Sequence, residues 1–231
     1  MKYMISSLWY TFRDLFYSVN KELKRNGYYI VENILTPKEC KNLLHEIEKD
    51  LSNGSINWQD TEGSDRRIYG WTSNVLAHVN ITVKEDFQSY IGSSNSFTSF
   101  IMANEVVFKE GNKGSGGGWH RDSLNRRQLK LMIYLTSVDN QNGPFEYISR
   151  SHTFWNKFVR GVLFKENRRI SELRIKEKRK IKTFEGKAGM GIIFDSSGIH
   201  RGRPIAKENR VAVTYYTFAT DIPSHIKQLM N

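Results

Sequence analysis

Two histidines and an aspartate in this 231-residue sequence have the types and spacing of an iron site. His120 and Asp122 follow the glycine-rich Gly114–Gly118, and in an extended chain residues two apart point to the same face. His200 follows the strand-like Gly191–Phe194, so an antiparallel fold can place it opposite the first pair. Two imidazoles and one carboxylate leave open positions on ferrous iron for a co-substrate and dioxygen. The pattern therefore predicts that His120, Asp122 and His200 bind iron.

Arg210, ten positions beyond His200, opens the apolar and aromatic run Val211–Phe218. A charge on the inner face of such a strand is costly without a partner. Because a planar guanidinium matches a carboxylate, we predict that Arg210 binds the distal carboxylate of 2-oxoglutarate, whose keto-acid end chelates the iron. Lys130 and Asn104 are further candidates to contact this co-substrate. A solvated position for Lys130 and an internal ion pair for Arg210 are the alternatives, and no catalytic residue is predicted beyond the metal ligands.

The other histidines and two nearby arginines have plainer interpretations. His152 is predicted to be structural, and the positions assigned to surface or packing are His45, His78 and His225. Arg201 and Arg203 flank Gly202 beside the predicted iron strand. They either meet an anionic substrate or lie on an exposed turn.

Short strand-like runs separated by turn signals fill the second half of the chain. They are Phe100–Lys109, Gln128–Leu135, Phe145–Ile148, Gly191–Phe194 and Val211–Phe218. The clearest breaks are Gly114–Gly118 and Asn140–Pro144, the second of which resembles a hairpin turn. Helices first and then many short strands indicate an α+β protein whose core is an antiparallel barrel or jelly roll.

The N-terminal part is predicted to be mainly helical support for that core. A turn precedes a strand at Tyr28–Val31, and Thr36 with Glu39 forms a capping box that begins a helix. Three segments complete this region: Ser52–Gly70 as loop, Trp71–Gln88 as helix or strand, and Met1–Tyr17 as a packing helix, for which contact with a membrane surface is the alternative. Residues 1–231 are predicted to form one domain, with support in 1–95 and a jelly-roll core in 96–220 that carries a basic insertion at 165–182.

The composition indicates a reducing compartment and an anionic partner. The single cysteine, Cys40, forms no internal disulfide, the N-terminus has no leader pattern, and no apolar stretch approaches the roughly 18 residues of a membrane span. A cytoplasmic location is therefore expected. The formal net charge is +11, of which Lys165–Lys182, with nine basic and three acidic residues, contributes +6. This segment is either a solvated face or a lid or docking surface for an anionic substrate.

The chain resembles the phytanoyl-CoA dioxygenase family of iron(II) and 2-oxoglutarate oxygenases over most of its length. The matching runs are Asn26–Asn33, Trp119–Ser123, Asn142–Phe145, Ser151–His152, and His200 with Arg210. The resemblance implies a double-stranded β-helix (cupin-like) core. It also implies Fe²⁺ and 2-oxoglutarate as cofactors, with metal ligands His120, Asp122 and His200 and a co-substrate arginine at 210.

Departures from the family pattern limit what the resemblance implies. Ser149–Arg150 stands where the family often has Pro-Gly, and the basic insertion is unusual, so activity on phytanoyl-CoA itself is not implied. Asp122 favours hydroxylation, because halogenating relatives replace this carboxylate by a small residue. Tyr216 lies six residues after Arg210, where nucleic-acid demethylases have a second arginine, so nucleic acid is a disfavoured partner.

The function predicted from the sequence is a dioxygenase that hydroxylates a small or carrier-bound, anionic substrate and releases succinate and CO₂. One competing hypothesis is a non-catalytic basic β-barrel that binds nucleic acid or an acidic surface, and its main support is the charge. The other is a cupin-type enzyme with a different divalent metal and no 2-oxoglutarate, which only Arg210 argues against.

Overall fold

Two antiparallel sheets form the centre of the molecule. The structure is a computed structural model that describes residue 12 and residues 19–92, 100–123, 127–160, 168–172, 180–218 and 221–230. The strands are β1 (Tyr28–Val31), β2 (Trp58–Gln59), β3 (Asp65–Tyr69), β4 (Phe100–Val106), β5 (Gln128–Tyr134), β6 (Phe145–Ile148), β7 (Ile181–Phe184), β8 (Gly191–Asp195), β9 (His200–Gly202) and β10 (Arg210–Phe218). The larger sheet has the order β1-β8-β5-β10-β4-β3-β2, and the smaller has the order β7-β6-β9.

Residues alternate strictly between the two faces of the larger sheet. Along β5, Leu129, Leu131 and Ile133 pack into a core shared with the helices, whereas Tyr134 packs toward the smaller sheet. Lys130 lies on that same inner face and lines a cavity. Since side chains alternate along a strand, this register places apolar residues under the helices and leaves polar ones for the site.

Five helices pack around these sheets in the described residues. They are α1 (Lys21–Asn26), α2 (Pro37–Ser52), α3 (Ala77–Ile91), α4 (Phe154–Phe158) and α5 (Ser224–Met230). The predicted start of α2 is confirmed, because the Glu39 amide donates to Thr36 Oγ1 at 3.3 Å and the Thr36 amide donates to Glu39 Oε2 at 2.7 Å. Its apolar stripe buries Leu43 and Ile47 against the larger sheet.

The predicted jelly-roll core with helices packed on it is confirmed. The predicted strands correspond to β1, β4, β5, β6, β8 and β10, with ends that differ by a few residues. The inner faces of the two sheets meet in a cluster that includes Tyr134, Phe145, Tyr147, Phe184 and Phe194. No helix in the described part of the chain has the length and apolar character needed to cross a membrane.

The prediction of a loop at Ser52–Gly70 is wrong. This segment contains β2 and β3, which extend the larger sheet beyond β4. The charged residues of this segment do not have the apolar pattern that predicts a strand. Asp65 is nevertheless buried, because it pairs with Arg67. The segment Trp71–Gln88, left open between helix and strand, forms a short 3₁₀ turn and most of α3.

Two predicted segments lie largely outside the described residues. The helix at Met1–Tyr17 lies outside them apart from Phe12. The basic segment Lys165–Lys182 is described only at 168–172 and 180–182, where its last residues begin β7.

Candidate functional site

The structure brings the three predicted metal ligands together. His120 and His200 form an antiparallel backbone pair, with each amide 2.9 Å from the other residue's carbonyl oxygen. His120 Nε2 lies 3.6 Å from Asp122 Oδ1, and His200 Nε2 lies 3.9 Å from Asp122 Oδ2. One ligand atom from each residue falls within 4.8 Å of the others, a cluster able to hold a metal ion.

Both imidazoles are held in the form that binds metals. His120 Nδ1 lies 2.9 Å from the Gly118 carbonyl, and His200 Nδ1 lies 2.9 Å from the Gly198 carbonyl. A carbonyl only accepts hydrogen bonds, so Nδ1 carries the proton and Nε2 keeps a lone pair toward the cluster. Burial lowers the pKa of His120 to about 3 and that of His200 to about 4, so both rings are neutral at physiological pH.

The Asp122 carboxylate supplies the negative charge of the cluster. Burial opposes its ionisation, but the Lys130 ammonium and the two histidines hold the pKa of Asp122 well below its usual range. Lys130 Nζ lies 2.6 Å from Asp122 Oδ2. A carboxylate that lies beside two imidazole lone pairs, with one ligand atom from each residue within 4.8 Å of the others, fits a divalent cation such as Fe²⁺.

The glycine-rich turn before His120 is required by close packing. A Cβ on Gly116 would collide with the His120 ring, and a Cβ on Gly114 would collide with the Gly202 carbonyl of β9. Both glycines also have positive φ angles, of 84° and 74°. The turn therefore seats the first histidine directly against the strand that carries the second.

Arg121, which the sequence interpretation did not single out, fastens the two ligand segments from behind. Its side chain is buried and donates to the carbonyl oxygens of Ser151 and Ser197 at 2.7 and 2.6 Å and to Asn156 Oδ1 at 2.9 Å. Ser197 belongs to the turn that precedes His200. The residue between the first two ligands is thus tied to the turn that positions the third.

Arg210 lies on the inner face of β10 as predicted, with only 1% of its surface exposed. Its guanidinium donates to the Gly143 carbonyl, and its Nε has no hydrogen-bond partner among the described residues. Burial lowers the pKa of Arg210 below its ordinary value. The nearby carboxylate of Asp65 is already held by Arg67 through two hydrogen bonds of 2.9 and 2.5 Å, so a carboxylate ligand fits Arg210.

A cavity of about 480 Å³ contains the three ligand residues, Arg210 and Lys130. Asn104 also lines the cavity, with its Nδ2 2.5 Å from Asp65 Oδ1. The basic segment, considered from the sequence as a lid or docking surface, contributes Arg168 and Arg169 to the lining. The sequence interpretation missed other walls, which are Trp58, Arg67 and Tyr69 from β2 and β3, Tyr216 and Phe218 from β10, and Pro223, Ile226 and Leu229 around α5. Asp65–Tyr69 has three charged residues followed by two apolar ones and no period-two alternation, so no local signal marked the first of these walls.

Arg201, on β9, and Arg203, directly after it, do not line the cavity. Arg201 Nε and Arg203 Nη2 both contact the buried Glu146 carboxylate at 2.6 Å, and the Arg201 guanidinium stacks on Trp119. Both side chains therefore hold β9 against β6, and neither is available to an anionic substrate in the cavity.

The remaining histidines have packing or surface positions. His152 is buried as predicted, with Nε2 3.2 Å from the Lys24 carbonyl. His45 is exposed on α2, and the side chain of His78 lies outside the described part of the structure. His225 is exposed, but it lines the mouth of the cavity on α5.

We expect the metal-free protein to lose stability between about pH 6.5 and pH 4, partly through His152. Burial lowers the pKa of His152 to about 4, so the folded protein keeps this ring neutral where the unfolded chain protonates it. The unfolded state then binds more protons, and the free energy of unfolding falls with falling pH by at most about 1.4 kcal/mol per unit for one residue. Chemical denaturation at several pH values should show a shallower dependence for His152→Gln. The exposed His45→Gln is the control, and equal slopes for both variants and the wild type would contradict the expectation.

Comparison with known families decides the class of this site. The sequence profile of the phytanoyl-CoA dioxygenase family (PhyH) matches residues 23–210, well over half of the chain. The chain belongs to the phytanoyl-CoA dioxygenase family. Membership places it among the iron- and 2-oxoglutarate-dependent oxygenases and confirms the predicted enzyme class and cofactors at that level. No curated protein sequence matches the chain significantly.

Solved structures similar to this member of the PhyH family share its fold at low sequence identity. The non-heme alpha ketoglutarate dependent epimerase SnoN from nogalamycin biosynthesis has a TM-score of 0.67 and 18% identity, covering 90% of this chain and 85% of its own. EctD from S. alaskensis with bound Fe has a TM-score of 0.61 and 21% identity, covering 85% and 74%. HygX from Streptomyces hygroscopicus with nickel and 2-oxoglutarate bound has a TM-score of 0.58 and 13% identity, covering 87% of each chain. These similarities support the jelly-roll fold.

Proposed function

We propose that this protein is a 2-oxoglutarate-dependent dioxygenase that hydroxylates a small or carrier-bound anionic substrate, with one oxygenase domain over residues 1–231. The proposed metal ligands are His120, Asp122 and His200, and the proposed co-substrate residue is Arg210. The observation that carries the proposal is the position of a buried arginine in the same cavity as the His-Asp-His cluster, with no carboxylate partner of its own in the described part of the chain.

The chain's residues hold the reactants while the bound iron and 2-oxoglutarate supply the oxidising chemistry. Arg210 would fix the distal carboxylate of 2-oxoglutarate, which orients the keto-acid end toward the two neutral imidazoles and Asp122. The walls from β2, β3 and α5 would exclude water and hold the substrate. One molecule each of dioxygen, 2-oxoglutarate and substrate would give succinate, CO₂ and hydroxylated product.

The anionic character of the proposed substrate rests on the charge of the cavity. Arg168 Nη1 donates to the Asp122 carbonyl at 2.9 Å, and Arg169 donates to the Gly116 carbonyl. Neither arginine forms an ion pair among the described residues. Two guanidinium groups that contact only carbonyl oxygens beside the site favour a carboxylate or phosphate on the substrate.

Anaerobic titration of the metal-free protein with Fe²⁺ and then 2-oxoglutarate tests the chemistry. We expect a weak visible charge-transfer band from the chelated keto acid and, on admission of oxygen, succinate formation. A panel of carboxylated, phosphorylated and uncharged small molecules then tests the substrate class, and acidic compounds should accelerate succinate formation most. A folded, iron-loaded protein without the band would contradict the proposal. The non-catalytic barrel considered from the charge alone is not favoured, because the chain belongs to an oxygenase family.

A further inference from the structure

Lys130 has a position that the metal and co-substrate roles described above do not require. Its side chain projects from β5 into the cavity and is nearly buried, with 6% of the residue exposed. The ammonium lies 2.6 Å from Asp122 Oδ2 and 4.0 Å from the centre of the Tyr216 ring. The sequence suggested either a contact with the co-substrate or a solvated position, and burial excludes the second.

The ammonium cancels the only negative charge that the described cavity lining offers to a metal. Asp122 is the single acidic residue in that lining, whereas its basic residues are Arg67, Arg121, Lys130, Arg168, Arg169 and Arg210. Because metal binding requires neutral imidazoles, the three ligands carry a formal charge of −1, and the adjacent Lys130 brings the sum to zero. A dication binding to Asp122 therefore meets a fixed positive charge at short range.

Metal binding would also weaken the ion pair between Lys130 and Asp122, because the carboxylate then shares its negative charge with a dication. No other carboxylate belongs to the described lining, and the Tyr216 ring is the other contact of the ammonium there. A buried ammonium in that state favours an incoming anion. The carboxylates of 2-oxoglutarate supply one.

We propose that Lys130 couples metal binding to 2-oxoglutarate binding by changing its partner from the Asp122 carboxylate to a carboxylate of 2-oxoglutarate. This inference rests on the proposed function. It makes Lys130 a positioning residue for Asp122 in the metal-free protein and a co-substrate-binding residue after the metal enters. By thermodynamic linkage, the metal strengthens 2-oxoglutarate binding by the same factor as 2-oxoglutarate strengthens metal binding.

Calorimetric titration with Mn²⁺, in the absence and presence of 2-oxoglutarate, tests the coupling without turnover. We expect Lys130→Met to bind Mn²⁺ alone about tenfold more tightly than the wild type, because one positive charge is removed. The factor by which 2-oxoglutarate tightens Mn²⁺ binding should fall at least about fivefold. Lys130→Arg, which keeps the charge, should retain most of the coupling.

Lys182→Met is the matched control, since Lys182 lies on β7 outside the cavity with Nζ 6.0 Å from the Phe184 ring. It should bind Mn²⁺ and 2-oxoglutarate as the wild type does. If folded Lys130→Met keeps the wild-type coupling factor, the inference fails while the proposed function stands. If 2-oxoglutarate does not change Mn²⁺ affinity even in the wild type, the proposed co-substrate and the inference both fail.

Discussion

Replacing Arg210 by methionine is expected to weaken 2-oxoglutarate binding to the metal-loaded protein by about a hundredfold, because truncating one partner of a buried charged pair costs roughly 2–5 kcal/mol. The guanidinium is buried on the inner face of β10 and is held in the protein by the Gly143 carbonyl. Arg210→Lys should recover part of the affinity, since a lysine keeps the charge but lacks the planar fork. Titration of the visible band with 2-oxoglutarate measures the loss.

Metal affinity provides the internal check on that variant. Arg210 does not belong to the ligand cluster, so Arg210→Met should bind Mn²⁺ alone with nearly wild-type affinity. Arg203→Met removes a different guanidinium, one that pairs with Glu146 and lies outside the cavity lining, and should leave 2-oxoglutarate binding unchanged. Wild-type 2-oxoglutarate affinity in Arg210→Met would assign Arg210 to an internal structural role.

The second large effect is expected for Asp122→Asn. This substitution keeps the shape of the side chain but removes the negative charge of the three-residue ligand cluster. We expect Fe²⁺ affinity to fall by more than about a hundredfold, beyond the loss typical of residues that only support a ligand. Succinate formation should fall with it. The carboxylate lies between Lys130 and two histidines, and the described cavity lining has no other acid to replace it.

Anaerobic metal titration and succinate measurement at saturating 2-oxoglutarate check this expectation. Asp221→Asn is the control, because Asp221 is exposed and lies outside the cluster. If Asp122→Asn still bound Fe²⁺ like the wild type, the assignment of His120, Asp122 and His200 as the metal ligands would be wrong.

The parts of the fold that could be predicted are those where local sequence rules and tertiary packing agree. The α2 helix has its capping box and an apolar stripe, and β10 is a nearly uninterrupted apolar run at the centre of the sheet. The ligand pattern was readable for a similar reason. His120 and Asp122 are two residues apart on an extended segment, so their convergence needed only the geometry of a strand.

The cavity wall formed by β3 could not be predicted because charged residues in this strand are buried by pairing with each other. In β3, Asp65 and Arg67 neutralise each other, so a strand of the sheet has the composition of a loop. The contact between Lys130 and Asp122 depends on the register of β5 against β8 and β10, which no local pattern specifies. Ile226 and Met230 of α5 pack against Tyr69 and its aromatic neighbours, and this tertiary packing places α5 at the cavity.

The walls of the cavity come from different parts of the fold, and this affects which properties of the enzyme a substitution changes. The ligand residues and Arg210 lie on β9, on β10 and on a segment fastened to β9 by backbone hydrogen bonds. The opposite walls come from the edge strand β2, from its neighbour β3 and from α5. If these walls hold the substrate as proposed, substitutions in them are expected to alter substrate selectivity while the iron chemistry stays intact. Selection, or a protein engineer, can therefore vary the substrate and the reaction centre as two separable traits.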